Sequence, residues 1–270
     1  MTAATRWTTT RPTGSRRARA RLAPPTPASR TSTPAGPAGT RSSATILRDP
    51  AGQRPCLPLP DSKRTVHPAD EHLVLGGALE QAWRTLTGAP PAGWATSEPV
   101  GVPWSPRQLT DLARARAQQS LPTWIVAVGT PGHPAIATVR TTRTHLGVEE
   151  HITLAVGHRA DQHAPVDTMP ELAESLAARH NLATMIGQLR TARADLTAPA
   201  HHEPPPVPFS FTLGPDAVAD RDGDDTAFAP ARLGPAARPA LHYTLGDGTD
   251  PAAWERLRQI NGRLAATGEG

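Results

Sequence analysis

Three stretches of the chain decide the fold: "PTWIVAVG" at residues 122–129, "PAIATVRTTR" at residues 134–143 and "GVEEHITLAVG" at residues 147–157. Each stretch is rich in β-branched residues and begins or ends at glycine or proline, which predicts three consecutive strands. The first stretch is apolar on both faces, which is typical of a central strand. The second and third flank a turn and predict a β-hairpin.

A turn centred on residues 146–147 fixes the register of this hairpin and so decides which side chains share a face. The register gives three cross-strand pairs on one face: Val139 with Leu154, Thr141 with Ile152, and Arg143 with Glu150. Glu149 and His151 then lie on the other face. A carboxylate beside an imidazole can transfer protons, so these two are our candidate catalytic residues, or half of a metal site. A satisfied polar face is the alternative interpretation.

Helices are predicted before and after these strands in the chain, over residues 67–88, 104–117, 167–181 and 247–264. Ser105 with Gln108, and Thr168 with Glu171, have the spacing of capping boxes at two of the helix starts. Asn181 is placed to end the third helix in a left-handed conformation. The fourth helix begins after an aspartate and a proline, which are favoured at that position.

The remaining strands are predicted at residues 207–213, as an edge strand because of its prolines, and at residues 240–245. Residues 182–196 fit either a strand or an extension of the preceding helix, and we favour a strand. Strands in a meander with helices that do not alternate strictly with them predict an α+β fold. We expect a single, mostly antiparallel sheet, a β-meander with added strands, with helices packed on it.

Charge divides the chain into two regions. Residues 1–65 hold 12 of the 28 lysines and arginines and only two acids, giving 12 − 2 = +10 against 16 − 22 = −6 for the rest. With few aliphatic residues, residues 1–63 are predicted to be a disordered basic tail, and residues 64–265 an α+β domain. The run "RRARAR" at residues 16–21 could contact nucleic acid, but a solvated tail is favoured, and a mistranslated leader is a third possibility.

The sequence lacks the residues that several kinds of site require. Cys56 is the single cysteine, which leaves no internal disulfide and no cysteine-rich zinc site. Lys63 is the single lysine and has no glycine-rich turn around it, so neither a P-loop nor a lysine Schiff base is predicted. The longest apolar run, "WIVAV" at residues 124–128, is too short to span a membrane. We predict no cofactor and a cytoplasmic protein.

The stretch "ADRDGDDTAFAPA" at residues 219–231 resembles a calcium loop only in part. Asp220, Asp222 and Asp224 fall at positions one, three and five of such a loop. Position six, which needs glycine, is Asp225, and position twelve, which needs glutamate, is Ala231. The adjacent histidines of "HHEPPP" at residues 201–206 also have poor geometry for one metal. No metal site is therefore predicted.

The stretch "LRTARADLT" at residues 189–197 is the densest polar cluster in an otherwise apolar context. Arg190, Arg193 and Asp195 are our candidate ligand-binding residues, for an anion or for an acidic patch on a partner. The alternative, which we favour, is that Asp195 neutralises one of the arginines.

Several long stretches, in order, resemble one protein family: "HPADEHLVLGGALEQAW" at residues 67–83, "PWSPRQLTDLAR" at 103–114, "PPVPFSFTLGP" at 205–215 and "RLGPAARPALHYTLGDGTDP" at 232–251. The family is an actinobacterial family labelled as domain of unknown function 6177, and the resemblance covers its C-terminal portion, about residues 64–265. Members have a further N-terminal half, which residues 1–63 do not resemble. The resemblance implies no established activity, and an association with type VII secretion components.

We therefore expect a non-enzymatic cytoplasmic protein-interaction module, accessory to type VII secretion, with an unknown protein partner. One alternative is a fragment of an enzyme or a small-ligand-binding domain that uses Glu149, His151, Arg190 and Arg193. A third is contact with nucleic acid through the basic tail, since the acidic remainder of the chain repels phosphate.

Overall fold

A computed structural model describes the backbone of residues 42–48 and residues 67, 70–145, 147–158, 164–192, 196, 205–219 and 228–266. These residues belong to one unit, residues 39–270. The described strands are β1 (Ser42–Arg48), β2 (Gly93–Ala95), β3 (Val102–Pro103), β4 (Thr123–Thr130), β5 (His133–Thr144), β6 (Gly147–His158), β7 (Thr184–Ala192), β8 (Val207–Leu213), β9 (Ala231–Leu233) and β10 (Ala240–Thr244). The helices are α1 (Gly77–Thr87), α2 (Pro106–Gln118), α3 (Met169–Arg179), α4 (Pro215–Ala219) and α5 (Ala253–Ala266).

The α+β class is confirmed, and the expected single sheet is confirmed only in part, because two antiparallel sheets are joined edge to edge through one strand. The first has the order β3-β2-β4-β5-β6 and the second has the order β7-β8-β10-β9. Strand β1 lies between them and pairs antiparallel with both β6 and β7. Strands β6 and β7 therefore run in the same direction, and such strands need a long crossover connection. Helix α3 lies within that connection.

The position of β1 corrects the expectation that residues 1–63 are disordered throughout. Residues 42–48 form a strand whose register runs from Ser43 opposite His158 to Arg48 opposite Thr153. The segment "ATIL" at residues 44–47 explains the difference, because β-branched and aliphatic residues favour strands and the average composition of the tail concealed them. The rest of residues 1–63 lies outside the described residues.

The β5–β6 hairpin is confirmed, with a register two residues from the predicted one. Val139 lies opposite Ile152 rather than Leu154, and Thr141 lies opposite Glu150. Thr144 and Gly147 form the last pair, so the turn is centred on residues 145–146. A shift of two residues preserves the alternation of side chains, so the predicted faces are correct although the partners are not.

One expectation about strand positions is confirmed only in part, and another is wrong. Strand β4 is internal, between β2 and β5, but Trp124 is exposed, so only one of its faces is covered. Strand β8 is not at an edge but lies between β7 and β10. Pro208 has no amide hydrogen to donate to a neighbouring strand. It is accommodated because the register shifts between Gly187 and Gln188, and at such a bulge the missing hydrogen bond is tolerated.

Helix α2 and the end of helix α1 follow the sequence prediction, but α1 begins at Gly77 rather than near residue 67. Gly88 ends α1 in a left-handed conformation with φ 78°, and its N–H donates to the Arg84 carbonyl. The Ser105 side chain accepts a hydrogen bond from the Gln108 N–H at the start of α2. Gly76 precedes α1 with φ 82°, a left-handed conformation that favours glycine.

The start of α3 differs from the predicted capping box. Thr168 makes no side-chain capping bond, and its hydroxyl donates instead to the Pro165 carbonyl at 2.7 Å. A short 3-10 helix over residues 166–168 precedes α3, and the hydroxyl of Thr168 bonds to the residue before that short helix. Asn181 adopts φ 49° after the helix, as expected, and the chain then enters β7, which resolves the segment as a strand.

Two hydrophobic clusters show how each sheet is covered. The first joins α1, α2 and α3 to one face of the first sheet and also reaches Met185 of β7. The second joins α4 and α5 to the second sheet and includes Ile186, the next residue along β7. Because neighbouring residues of a strand point to opposite faces, the second sheet is packed on both faces. None of the described helices is long and apolar enough to cross a membrane.

Candidate functional site

The predicted pair of Glu149 and His151 is in contact on the face of the first sheet that lies opposite the helices. The Nε2 atom of His151 lies 3.2 Å from a carboxylate oxygen of Glu149, and both side chains are 13% exposed. Arg140 of β5 lies directly opposite His151, and Trp124 of β4 lies directly opposite Arg140. The Arg140 guanidinium carbon is 5.6 Å from the centre of the Trp124 ring, within the range of a cation–π contact.

An apolar surface continues from this row along β4 and β5, and we call it the open-face stripe. Trp124 is 55% exposed and Ile136 is 40% exposed, and Val126 and Val128 lie half-buried on the same face. Val128 lies directly opposite Ile136, so the stripe is continuous across both strands. The sequence predicts that both faces of β4 are covered, because an apolar strand cannot reveal from its own sequence that one face remains open.

Arg190 does not join the Glu149–His151 pair. It lies on β7 opposite Ala44 of β1, and Ala44 lies opposite Gly157 of β6. Gly157 is six residues beyond His151 on β6, which places Arg190 about 20 Å from the pair along the strand direction. Arg193 and Asp195 lie outside the described residues, so the pairing expected for Asp195 stays a prediction. The structure therefore does not unite Arg190 with Glu149 and His151 in one site.

Glu150 forms a second polar cluster on the helix-facing side of β6. Its side chain is 5% exposed, and its carboxylate accepts a hydrogen bond of 2.8 Å from the Gly76 N–H before α1. The Nε2 atom of His67 lies 3.5 Å from the other carboxylate oxygen. The predicted partner of Glu150 is Arg143, so the two-residue error in register concealed this cluster. Its partners come from distant parts of the chain, which spacing along one strand cannot reveal.

His180, after α3, belongs to the same region. Burial lowers its pKa below the ordinary value, His67 and Arg179 lower it further, and the Glu150 charge opposes that change. The backbone of Gly77 approaches the His180 ring so closely that a Cβ atom there would lie 2.9 Å from Cε1. The cluster therefore places the neutral imidazole of His180 near the carboxylate of Glu150, which already binds the Gly76 N–H at the start of α1. The role of this cluster is to fix α1 on the sheet.

A cavity of about 520 Å³ lies between α2, the strands β5 and β6 and residues 70–75. Its walls are largely apolar and include Leu75, Ala113, Ala117 and Val148. Thr141 and Arg143, which project from β5 toward the helices, also line it. Pattern alone could not locate this cavity, because it requires the position of α2 relative to the hairpin.

The glycine-rich segment before α5 has a structural role, as its sequence indicates. Asp250 accepts a hydrogen bond of 2.9 Å from the Ala252 N–H and one of 3.1 Å from Arg256. These contacts, the backbone bond first, hold the pKa of Asp250 below its usual value. Asp247 accepts from the N–H and the hydroxyl of Thr249. Two carboxylates at this position oppose an anion, in agreement with a cap rather than a phosphate site.

Several predicted features lie outside the described residues. They are the arginine run at residues 16–21, Cys56, Lys63, the histidines of residues 201–202 and the aspartates of the rejected calcium loop, residues 220–225. Their interpretations stay predictions.

One comparison with known proteins gives a match. The sequence model of a family described as "DUF6177, C-terminal domain" matches residues 62–266, about three quarters of the chain. The matched region begins after β1 and contains the other described strands and helices. No curated protein and no solved structure matches the chain.

Proposed function

From the premise that this chain belongs to the DUF6177 family, whose C-terminal domain it carries, we propose that it is a non-enzymatic protein-interaction module. The observation that carries this proposal is the open-face stripe, Trp124, Val126, Val128 and Ile136. The partner is a protein with an apolar surface, and the stripe is where it docks.

The composition and position of the stripe support a protein partner. Tryptophan and arginine are the residues most often found at the energetic centre of protein interfaces, and here Arg140 is stacked on Trp124. Helices cover the second sheet on both faces, whereas the described helices cover the first sheet on one. A contiguous exposed apolar surface on an otherwise well-packed domain is typical of an interaction site. An acidic group on the partner would form an ion pair with Arg140, which lies beside the apolar contact.

The finer part of the proposal concerns the partner's identity and location. We propose that the partner is a component of type VII secretion, that the chain acts in the cytoplasm and that it is actinobacterial. The support is the resemblance to the family and its association with secretion components. The contact between Glu149 and His151 then serves to stiffen the polar border of the stripe rather than to transfer protons in a reaction.

The test is recovery of a partner by the purified chain with the stripe intact or altered. We expect Trp124→Ser to reduce recovery of a specific protein from actinobacterial lysate by about tenfold or more, the size expected for a central aromatic residue. The control is Leu121→Ser, which alters a residue 45% exposed and outside the stripe. Equal recovery with Trp124→Ser and the unaltered chain contradicts the docking site. Recovery of a protein unrelated to secretion contradicts the secretion link alone.

A further inference from the structure

The cavity beneath α2 has the size and walls of a ligand site. Its volume, about 520 Å³, lies within the range of roughly 300–1,000 Å³ that is usual for small-molecule pockets. Leu75, Ala113, Ala117 and Val148 supply apolar walls from three different elements. It lies on the helix-facing side of the first sheet, whereas the stripe proposed for the protein partner lies on the other side.

The hydroxyl of Thr141 lies in this cavity without a hydrogen-bond partner among the described residues. Thr141 is 4% exposed, and its Oγ1 atom is buried. Thr110, which also lines the cavity, provides the contrast: its hydroxyl donates to the Pro106 carbonyl at 2.7 Å and accepts from the Leu75 N–H at 2.9 Å. A buried hydroxyl is costly unless it is bonded. A polar atom of a bound molecule would satisfy Thr141.

Arg143 indicates the charge of that molecule. It lies two residues beyond Thr141 on the same face of β5, about 7 Å along the strand. It lines the cavity, and the structure shows no ion pair between it and another described residue.

The other charged residues at the mouth of the cavity already have contacts. Arg114 lies 3.8 Å from Asp111 and 3.5 Å from the Glu71 carbonyl. The Glu71 carboxylate lies 3.7 Å from His72, and the Asp70 carboxylate accepts from the His72 N–H at 2.9 Å. Among the charged residues that line the cavity, Arg143 is therefore the one whose guanidinium makes no ion pair or hydrogen bond with a described residue, and a guanidinium pairs best with a carboxylate.

We propose that this cavity binds a small organic carboxylate with an apolar body. The apolar body lies between α2 and β5, the carboxylate pairs with Arg143, and the Thr141 hydroxyl donates a hydrogen bond to one of its oxygens. This site is separate from the proposed protein interface and requires no reaction.

Titration calorimetry of the full chain with decanoate tests this site, because decanoate has a carboxylate and an apolar chain. We expect saturable binding of one decanoate per chain, and affinity about tenfold lower for Thr141→Val and for Arg143→Gln, since a charge-assisted hydrogen bond is worth that much or more. Ala117→Leu, which adds volume to a wall of the cavity, should also weaken binding.

Matched controls come from the other face of the same strand. Thr138→Val and Arg140→Gln make the same two chemical changes on the open face of β5 and should leave affinity within about twofold, because the faces are separate. Four results overturn the proposal: no saturable binding, equal losses in the control variants, undiminished binding by Arg143→Gln, or equal affinity for decanol. Arg143→Met, which also removes the charge, replaces Arg143→Gln if that variant does not fold.

Discussion

Glu149 and Glu150 are neighbours in the chain, and their carboxylates lie on opposite faces of the same sheet. The first contacts His151 on the open face, and the second accepts the Gly76 N–H beneath α1. Both are glutamates on one strand; Glu150 binds a backbone group of a different element, and Glu149 contacts a histidine of its own strand. The two positions therefore permit a direct comparison of an open-face contact with a buried one.

We expect Glu150→Ala to lower the free energy of unfolding by about 1–3 kcal/mol, because it leaves the Gly76 N–H buried without its acceptor. Glu149→Ala should cost less, because the contact that it removes joins two side chains of one strand. Urea unfolding of both variants measures the difference. Equal losses would show that the Glu150 contact does not hold α1 on the sheet.

Gly214 can be tested against Gly262. A Cβ atom at Gly214 would lie 1.4 Å from the Leu182 carbonyl oxygen, so the backbone before β7 or after β8 must move to admit it. We expect Gly214→Ala to cost about 4 kcal/mol or more, the range of severe backbone disruption. Gly262 lies within α5 with no atom near a Cβ, so Gly262→Ala should stabilise by about 0.5–1 kcal/mol. Thermal unfolding distinguishes the two directions.

Stability should fall as the pH is lowered from about 7.5 to about 5.5. Burial lowers the pKa values of His158, His180 and His242 below the ordinary 6.5. The folded state keeps these rings neutral, whereas the unfolded state binds protons below pH 6.5, so acid favours unfolding. Urea unfolding at several pH values measures the slope. His242→Gln should reduce it, and a slope of the opposite sign would contradict the burial of these rings.

Removal of residues before the matched region should affect both sheets. A chain that begins at residue 42 keeps β1, and a chain that begins at residue 62 loses it and leaves β6 and β7 with unpaired edges. We expect the longer chain to unfold like the full one and the shorter chain to be less stable. Hydrogen exchange at residues 153–158 and 186–192 should then rise in the shorter chain alone. Similar exchange in both would show that β1 does not protect these strands.

The helices could be predicted from sequence because their signals are local. Ser105 before Pro106, and Gly88 after α1, act within a few residues and keep the same role in the structure. The register of the hairpin is not fixed by the same signals, since a shift by two residues keeps the same faces and differs only in the partners. Strand β1 was missed because its few aliphatic residues were averaged with a long basic segment.

The candidate site was predictable only where it depends on one strand. Alternation along β6 was enough to bring Glu149 and His151 together. The contacts of Glu150 with His67 and Gly76 require tertiary positions that no periodicity encodes. The same is true of the cavity, and of the exposure of Trp124, which depends on what packs on the sheet rather than on the strand itself.

Strand β5 presents Thr138 and Arg140 to the open face and Thr141 and Arg143 to the cavity. One backbone therefore forms the floor of two binding surfaces that face away from each other. If occupancy of one surface shifts that strand, the free-energy coupling must be mutual: the factor by which the carboxylate changes affinity for the partner equals the factor by which the partner changes affinity for the carboxylate. A small molecule could regulate an assembly in this way without entering its interface.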